Sequence, residues 1–251
     1  ATCTNNNRRI ARFYRVVFGI DELWNDRQNS PYSFYISDGF INMNCLLVHP
    51  GMKRNPGVGL EHFGFYVNDL KETENKILAF KSSTKIEESP RDGRYEDKRF
   101  HDPEGNRLEI ATNPWGTEGI KRTPGIRHIA IHAKDPERLS YFYKSVFAMK
   151  EVGKTVTKDT DSTVLYLSDG AFSLSLIKNA PTSSFGIQLI GIQVQSIKQI
   201  EEKLKTSPAF LYEGEPAVEV IRRQKPGPFQ SCYLRDPDGN YVDLSEEGWP
   251  V

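Results

Sequence analysis

Apolar and polar positions along this chain alternate with a period of two over most stretches and switch to helical spacing over a few. IRHIAIHA (126–133) reads as a strand. DPERLSYFYKSVF (135–147) then repeats at three and four, with Leu139, Phe142, Tyr143, Val146 and Phe147 on one stripe. Asp135 is placed to cap that helix and Pro136 suits its first turn. STVLYLS (162–168) and FSLSLI (172–177) alternate on either side of an Asp-Gly pair, which predicts a hairpin. GIQLIGIQV (186–194) predicts a strand. SIKQIEEKLK (196–205) predicts an amphipathic helix carrying Ile197, Ile200 and Leu204 on one face. FQSCYLR (229–235) and YVDLS (241–245) predict two more strands, joined by the turn residues DPDGN.

The same grammar is written earlier in the chain. RFYRVVFG (12–19) matches YFYKSVFA (141–148), and YISDG (35–39) matches YLSDG (166–170). LEHFGFYVNDL (60–70) matches IQLIGIQVQSI (187–197), and HDPEGNRLEI (101–110) matches RDPDGNYVDL (235–244). The four blocks keep their order and nearly their spacing, which chance similarity would not do. A period this long suits two homologous domains rather than a solenoid. The expected boundaries are 1–119 and 125–251, joined through NPWGTEGIKRTP (113–124), whose prolines and glycines mark a linker. Each copy reads βαβββ twice, four βαβββ modules in all, so the fold class is α+β.

Composition narrows the function. Lys plus Arg is 33 and Asp plus Glu is 33, so the formal charge is zero, and no basic stripe offers itself to nucleic acid. No polybasic segment faces a membrane and no apolar run is long enough to span one. The opening residues, ATCTNNNRRIARF, lack the apolar core of a signal peptide. The three cysteines, Cys3, Cys45 and Cys232, are odd in number and show no CxxC spacing. They are expected to be small buried hydrophobes in a reducing, cytoplasmic protein. Nucleophile-elbow, dinucleotide and P-loop motifs are missing.

FYxxVFG in the first helix, the LEHFGFYV strand and the closing DPxGNxxE/D block together resemble the glyoxalase/bleomycin-resistance/extradiol dioxygenase superfamily, the vicinal oxygen chelate group. The resemblance spans nearly the whole chain. It implies two βαβββ pairs, each curling into a cup. It also implies four inward positions for metal ligands: one each on the opening, fourth, fifth and last strands. Alternate residues of a strand face one way, so such positions can converge on one ion. The family includes metal-dependent lyases, isomerases, ring-cleaving dioxygenases and metal-free binders, so the fold alone does not give the reaction.

Transferred by position, the first cup has His62 on the fifth strand and Glu109 on the last, with Asn44 near the fourth-strand place. The partner of His128 falls two positions ahead of Ala1, so a third ligand is expected there. Two imidazoles and a carboxylate with open positions would suit a facial-triad Fe(II) oxygenase, and Asn44 is a poor fourth ligand for a glyoxalase-type Zn or Ni site. The second cup keeps His128 and Asp243 but has Ser175 and Leu189 at the other two places, a degenerate metal site. Tyr66 lies four residues beyond His62 on the same strand and, with Tyr95, is a candidate acid–base group. His132 shares a face with His128. His101 is expected at the solvent side of the DPxGN turn and His49 in a loop. Tyr95, Arg94 and the KPGPFQ stretch (225–230) are expected to rim the pockets.

The expected activity is metal-dependent chemistry on a small oxygen-rich or aromatic metabolite, nearest to an extradiol-type dioxygenase. The cofactor is a divalent metal, with Fe(II) ahead of Zn, Ni and Mn. The alternatives are a glyoxalase-type lyase or isomerase and a metal-free small-molecule binding protein. The partner is a small molecule, with neither nucleic acid nor membrane involved, and the protein is a monomer or homodimer.

Overall fold

The computed structural model describes residues 1–23, 31–52, 57–89, 97–114, 117–157, 162–178, 185–207, 215–227 and 229–251. Tyr95 and Arg94 lie outside them. The first module comprises β1 (Thr2–Thr4), α1 (Asn7–Phe18), β2 (Asp21–Glu22), β3 (Ser33–Ser37) and β4 (Asn42–Leu47). The second has β5 (Gly59–Leu60), β6 (His62–Tyr66), α2 (Leu70–Phe80), β7 (Glu87–Glu88), β8 (Lys98–His101) and β9 (Arg107–Ala111). The third has β10 (Gly125–Ala133), α3 (Pro136–Phe147), β11 (Lys150–Thr157), β12 (Ser162–Ser168) and β13 (Ser173–Lys178). The fourth has β14 (Gly186–Gln193), α4 (Ile197–Thr206), β15 (Ile221–Gly227), β16 (Gln230–Arg235) and β17 (Tyr241–Ser245). The architecture is α+β with open sheets.

The helices start where their caps dictate. The side chains of Asn6, Asp69, Asp135 and Ser196 accept from the backbone N–H three residues on, which satisfies one otherwise unpaired donor in each first turn. Helix α1 ends at Gly19, which is left-handed at φ 70°. Helix α3 ends in the same conformation on Ala148, at φ 54°, where a side chain costs energy.

Two details depart from the sequence expectation. The strand expected across 60–67 is broken at Glu61 into β5 and β6. The stretch expected as a loop from Lys225 begins inside β15, which runs on through Pro226 to Gly227. A proline is tolerated there because β15 is an edge strand, paired only with β16.

The chain gathers into two compact units that do not follow the two copies. One comprises 1–61, 117–127 and 189–249; the other comprises 62–116, 128–188 and 250–251. The first and last modules thus fall mainly in one unit, with β5, and the rest of the second module and most of the third fall in the other.

In the first unit, the sheet order is β2-β3-β4-β1-β5, and a second run of strands is β14-β17-β16-β15. Strand β1 is parallel to β4 and antiparallel to β5. Helices α1 and α4 pack together. Ile10, Phe13, Tyr14 and Val17 of α1 are fully buried, as are Cys3, Ile36 and Cys45 from the sheet. All three cysteines are buried and outside any disulfide, as expected, and burial pushes the Cys45 thiol far up.

In the second unit, the order is β6-β9-β8-β7 beside a run β11-β12-β13-β10. One core unites Phe63, Phe100, Leu108 and Ile110 with Leu139, Phe142 and Tyr143 of α3 and with Ile131, Leu167 and Leu174. In β10, Ile129, Ile131 and Ala133 turn to that core, so His128, Ala130 and His132 turn to the opposite face.

The two DPxGN blocks are more than turns. Asp102 accepts from the backbone N–H of Glu104 and Asn106 (2.9 Å each) and from Asn106 Nδ2 (2.7 Å). Its Oδ2 also accepts from the Tyr143 hydroxyl at 2.8 Å. Asp236 repeats this pattern with Asp238, Asn240 and the Tyr14 hydroxyl, the last at 3.0 Å. The matched tyrosines of the FYxxVFG helices therefore bind the matched aspartates of the turns. Each bond lies within one unit and joins two different modules.

Another aspartate closes the linker. In the first unit, Asp38 caps its hairpin turn through Oδ1, while Oδ2 accepts from Ile126 N (2.7 Å) and Arg127 Nη1 (2.6 Å). Both side chains are buried.

Candidate metal centre

Strands β6 and β9 run parallel in the second unit, with His62 opposite Arg107 and Gly64 opposite Glu109. Their neighbours Phe63, Leu108 and Ile110 point into the core. The alternation therefore turns His62, Arg107 and Glu109 to the other face. There, His62 Nε2 lies 3.1 Å from Glu109 Oε2, and both side chains are 9% exposed. Arg107 Nη2 donates to the other carboxylate oxygen, Oε1, at 2.6 Å. Glu109 is thus held at one oxygen by a guanidinium and presents the other to the imidazole.

Gly64 is part of this arrangement and was not singled out from sequence. A Cβ there would lie 2.8 Å from the Glu109 carbonyl oxygen and 3.3 Å from the Glu109 Cβ. Any side chain at position 64 would displace the carboxylate residue. A glycine in the middle of a strand is the signal that could have marked it.

Two ligand atoms at about 2.1 Å from one ion, at right angles, are about 3.0 Å apart. The His62–Glu109 separation meets that, and an imidazole with a carboxylate suits a divalent first-row ion. Among the described residues, no group of three His, Cys, Asp or Glu side chains gathers around a common point. The third ligand expected ahead of Ala1 is not among the residues described.

The other expected residues sit as follows. Tyr66 is 53% exposed, and four strand residues put it about 13 Å along β6 from His62, so it is not brought to the pair. Asn44, in the first unit, donates through Nδ2 to the Tyr35 hydroxyl at 3.1 Å. Its Oδ1 is buried without a hydrogen-bond partner among the described residues. His101 is exposed, as expected. His49 lies between strands, its ring stacked on Tyr32 at 4.0 Å between centroids.

His128 belongs to the second unit and Asp243 to the first. His128 is fully buried opposite Ser173, and burial lowers its pKa to about 3, partly opposed by a hydrogen bond with the Ser173 backbone. Its imidazole is therefore neutral at ordinary pH. Asp243 is fully buried and ion-paired with Arg223, whose guanidinium lies 4.7 Å from the Tyr233 ring centroid. Burial pushes the Asp243 carboxyl up and Arg223 draws it back down. Leu189 is buried, and Ser175 lies opposite Ala130 with its hydroxyl buried.

The family model for the Glyoxalase/Bleomycin resistance protein/Dioxygenase superfamily matches residues 1–110 and again 125–244. The chain belongs to this superfamily and carries two tandem domains of its type. No curated protein matches it by sequence. Among solved structures, the 2,3-dioxygenase LapB from Pseudomonas sp. KL28 is similar with a TM-score of 0.68 at 16% identity, covering 100% of this chain and 91% of that one. A catechol 2,3-dioxygenase gives 0.69 at 14% identity, covering 100% and 87%. The Mn(II)-bound glyoxalase from Novosphingobium aromaticivorans gives 0.66 at 13%, covering 100% and 81%. At such identities these likenesses establish the fold.

Proposed function

We propose that this protein is a metal-dependent enzyme acting on a small oxygen-rich or aromatic molecule, nearest in chemistry to a ring-cleaving extradiol-type dioxygenase. The observation that carries the reading is the buried His62–Glu109 pair, whose facing atoms are spaced as two adjacent ligands of one ion. His62 Nε2 and Glu109 Oε2 would hold a divalent metal, Fe(II) ahead of Zn, Ni or Mn. Such an ion supplies Lewis acidity toward adjacent oxygens of a bound substrate.

The chain's own groups prepare that site. Arg107 fixes Glu109 through Oε1, leaving Oε2 as the atom turned to His62. Gly64 lets the Glu109 backbone approach closely, since a Cβ there would lie 2.8 Å from its carbonyl oxygen. The apolar layer of Phe63, Leu108 and Ile110 beneath the pair holds both strands in register.

Elemental analysis of the full-length protein tests this. Stoichiometric metal, lost in His62→Ala, is expected; its absence from the wild type overturns the proposal. Iron would favour the dioxygenase, and nickel or zinc the glyoxalase-type lyase. One observation favours a second reading, a metal-free binder of small molecules: the Arg107 ion pair satisfies Glu109 without a metal. Among the described residues, no helix is long and apolar enough to cross a membrane.

A further inference from the structure

In the first unit, the strands β17, β16 and β15 have two unlike faces. Cys232, Leu234, Val242 and Leu244 turn to the core, and Arg222, opposite Cys232, reaches Glu201 of α4. The residues between them turn to the other face: Ile221 and Arg223, Tyr233 and Arg235, Tyr241 and Asp243. Tyr233 stands opposite both Ile221 and Asp243. The Tyr233 and Tyr241 rings are 5.3 Å apart between centroids. The Arg223 guanidinium lies 4.7 Å from the first ring centroid, and that of Arg235 lies 4.4 Å from the second. Asp243 is fully buried. Its Oδ1 accepts from Arg223 Nη2. Its Oδ2 and the Arg223 Nε are buried without a hydrogen-bond partner among the described residues. Buried polar atoms rarely stay unpaired. The carboxylate oxygen only accepts and the guanidinium nitrogen only donates, so a single hydroxyl can serve both.

We infer that this face binds a small uncharged molecule bearing a hydroxyl on an aromatic ring. The hydroxyl would donate to Asp243 Oδ2 and accept from Arg223 Nε. The ring would pack against Tyr233 and Ile221, whose side chain is 42% exposed. Apolar walls with a few convergent polar groups are the usual build of a small-molecule site. The Arg223–Asp243 pair carries one positive and one negative charge, so a neutral guest leaves no charge uncompensated. The site shares no residue with the His62–Glu109 pair and does not rest on a metal there.

Calorimetric titration of the full-length protein at neutral pH with phenol, and with anisole, which lacks the donor proton, tests the inference. Phenol should bind one to one and about tenfold or more tighter than anisole, the scale of a hydrogen bond to a charged group. In Asp243→Asn, Arg223 keeps the amide oxygen and the amide nitrogen takes the place of Oδ2. A donor then stands there, and the preference for phenol should vanish. Tyr233→Leu should weaken phenol about two- to tenfold, the scale of one aromatic pair, and keep the preference. His62→Ala should change nothing. Should Asp243→Asn fail to fold, the wild type and Tyr233→Leu decide. Five results would each overturn the inference: no saturable binding of phenol, equal affinity for anisole in the wild type, an unchanged preference in folded Asp243→Asn, wild-type affinity in Tyr233→Leu, or loss of binding in His62→Ala.

Discussion

Replacing Tyr14 by Phe deletes one oxygen from a fully buried place. That oxygen donates to Asp236 Oδ2 at 3.0 Å, and Asp236 is itself 3% exposed. Burial raises the Asp236 pKa from 3.8 to about 6, while its hydrogen bonds with Asn240 and Tyr14 pull it down. The folded value is above the unfolded one, so the folded chain holds the proton more tightly. The stability this provides is complete below about pH 4 and is lost as pH rises through about 6. Two pKa units correspond to about 3 kcal/mol. The Tyr14 hydroxyl opposes this loss because it stabilises the charged form. At pH 8, where Asp236 is ionised, Tyr14→Phe should cost about 1.5–3 kcal/mol, the value of a hydrogen bond to a charged group. At pH 4.5, where the carboxyl is protonated, the cost should fall to about 0.5–1.5 kcal/mol. Urea unfolding followed by far-UV circular dichroism at the two pH values measures both. A cost at pH 4.5 equal to or above that at pH 8 would refute the view that the hydroxyl supports a buried carboxylate.

Ala148→Gly should raise stability by about 1 kcal/mol, since the left-handed C-terminal residue of α3 carries a Cβ that the matching Gly19 lacks; a melting temperature at or below the wild type would falsify this. His128 should stay neutral down to about pH 4 in a histidine-detected NMR titration. Its folded pKa lies below the unfolded 6.5, so the stability it provides is present above pH 6.5 and lost as pH falls toward 3. His128→Asn should therefore flatten the acid limb of the stability profile, and a His128 titration near pH 6 would contradict the burial argument.

Much of this molecule is legible in its sequence. Helix α3 follows from Asp135, Pro136 and a five-residue apolar stripe because caps and periodicity are local signals. The family resemblance implies His62 and Glu109 as ligands of one cup, and the two side chains do meet. What stayed hidden depends on distance in the chain. Asp102 and Asp236 read as turn formers because their hydroxyl partners sit on other modules. Asp38 read as half of an Asp-Gly turn, yet it also holds Arg127. Asp243 read as a residual ligand because nothing local shows that Arg223 covers it. Gly64 read as one more strand residue, although the chain opposite leaves no room for a side chain.

The nesting of one unit inside the other along the sequence has a consequence for synthesis. Residues 62–116 and 128–188, all of that unit but 250–251, are complete when the ribosome passes 188, whereas the other unit waits for 189–249. The matching tyrosine–aspartate bonds express the same asymmetry: Tyr143 and Asp102 are 41 positions apart, and Tyr14 and Asp236 are 222. Closing the longer loop costs about 1.5 kcal/mol more in chain entropy. The inner unit can therefore condense while the first 61 residues still await their partner, and cutting the chain at the linker would separate each half from the module that completes it.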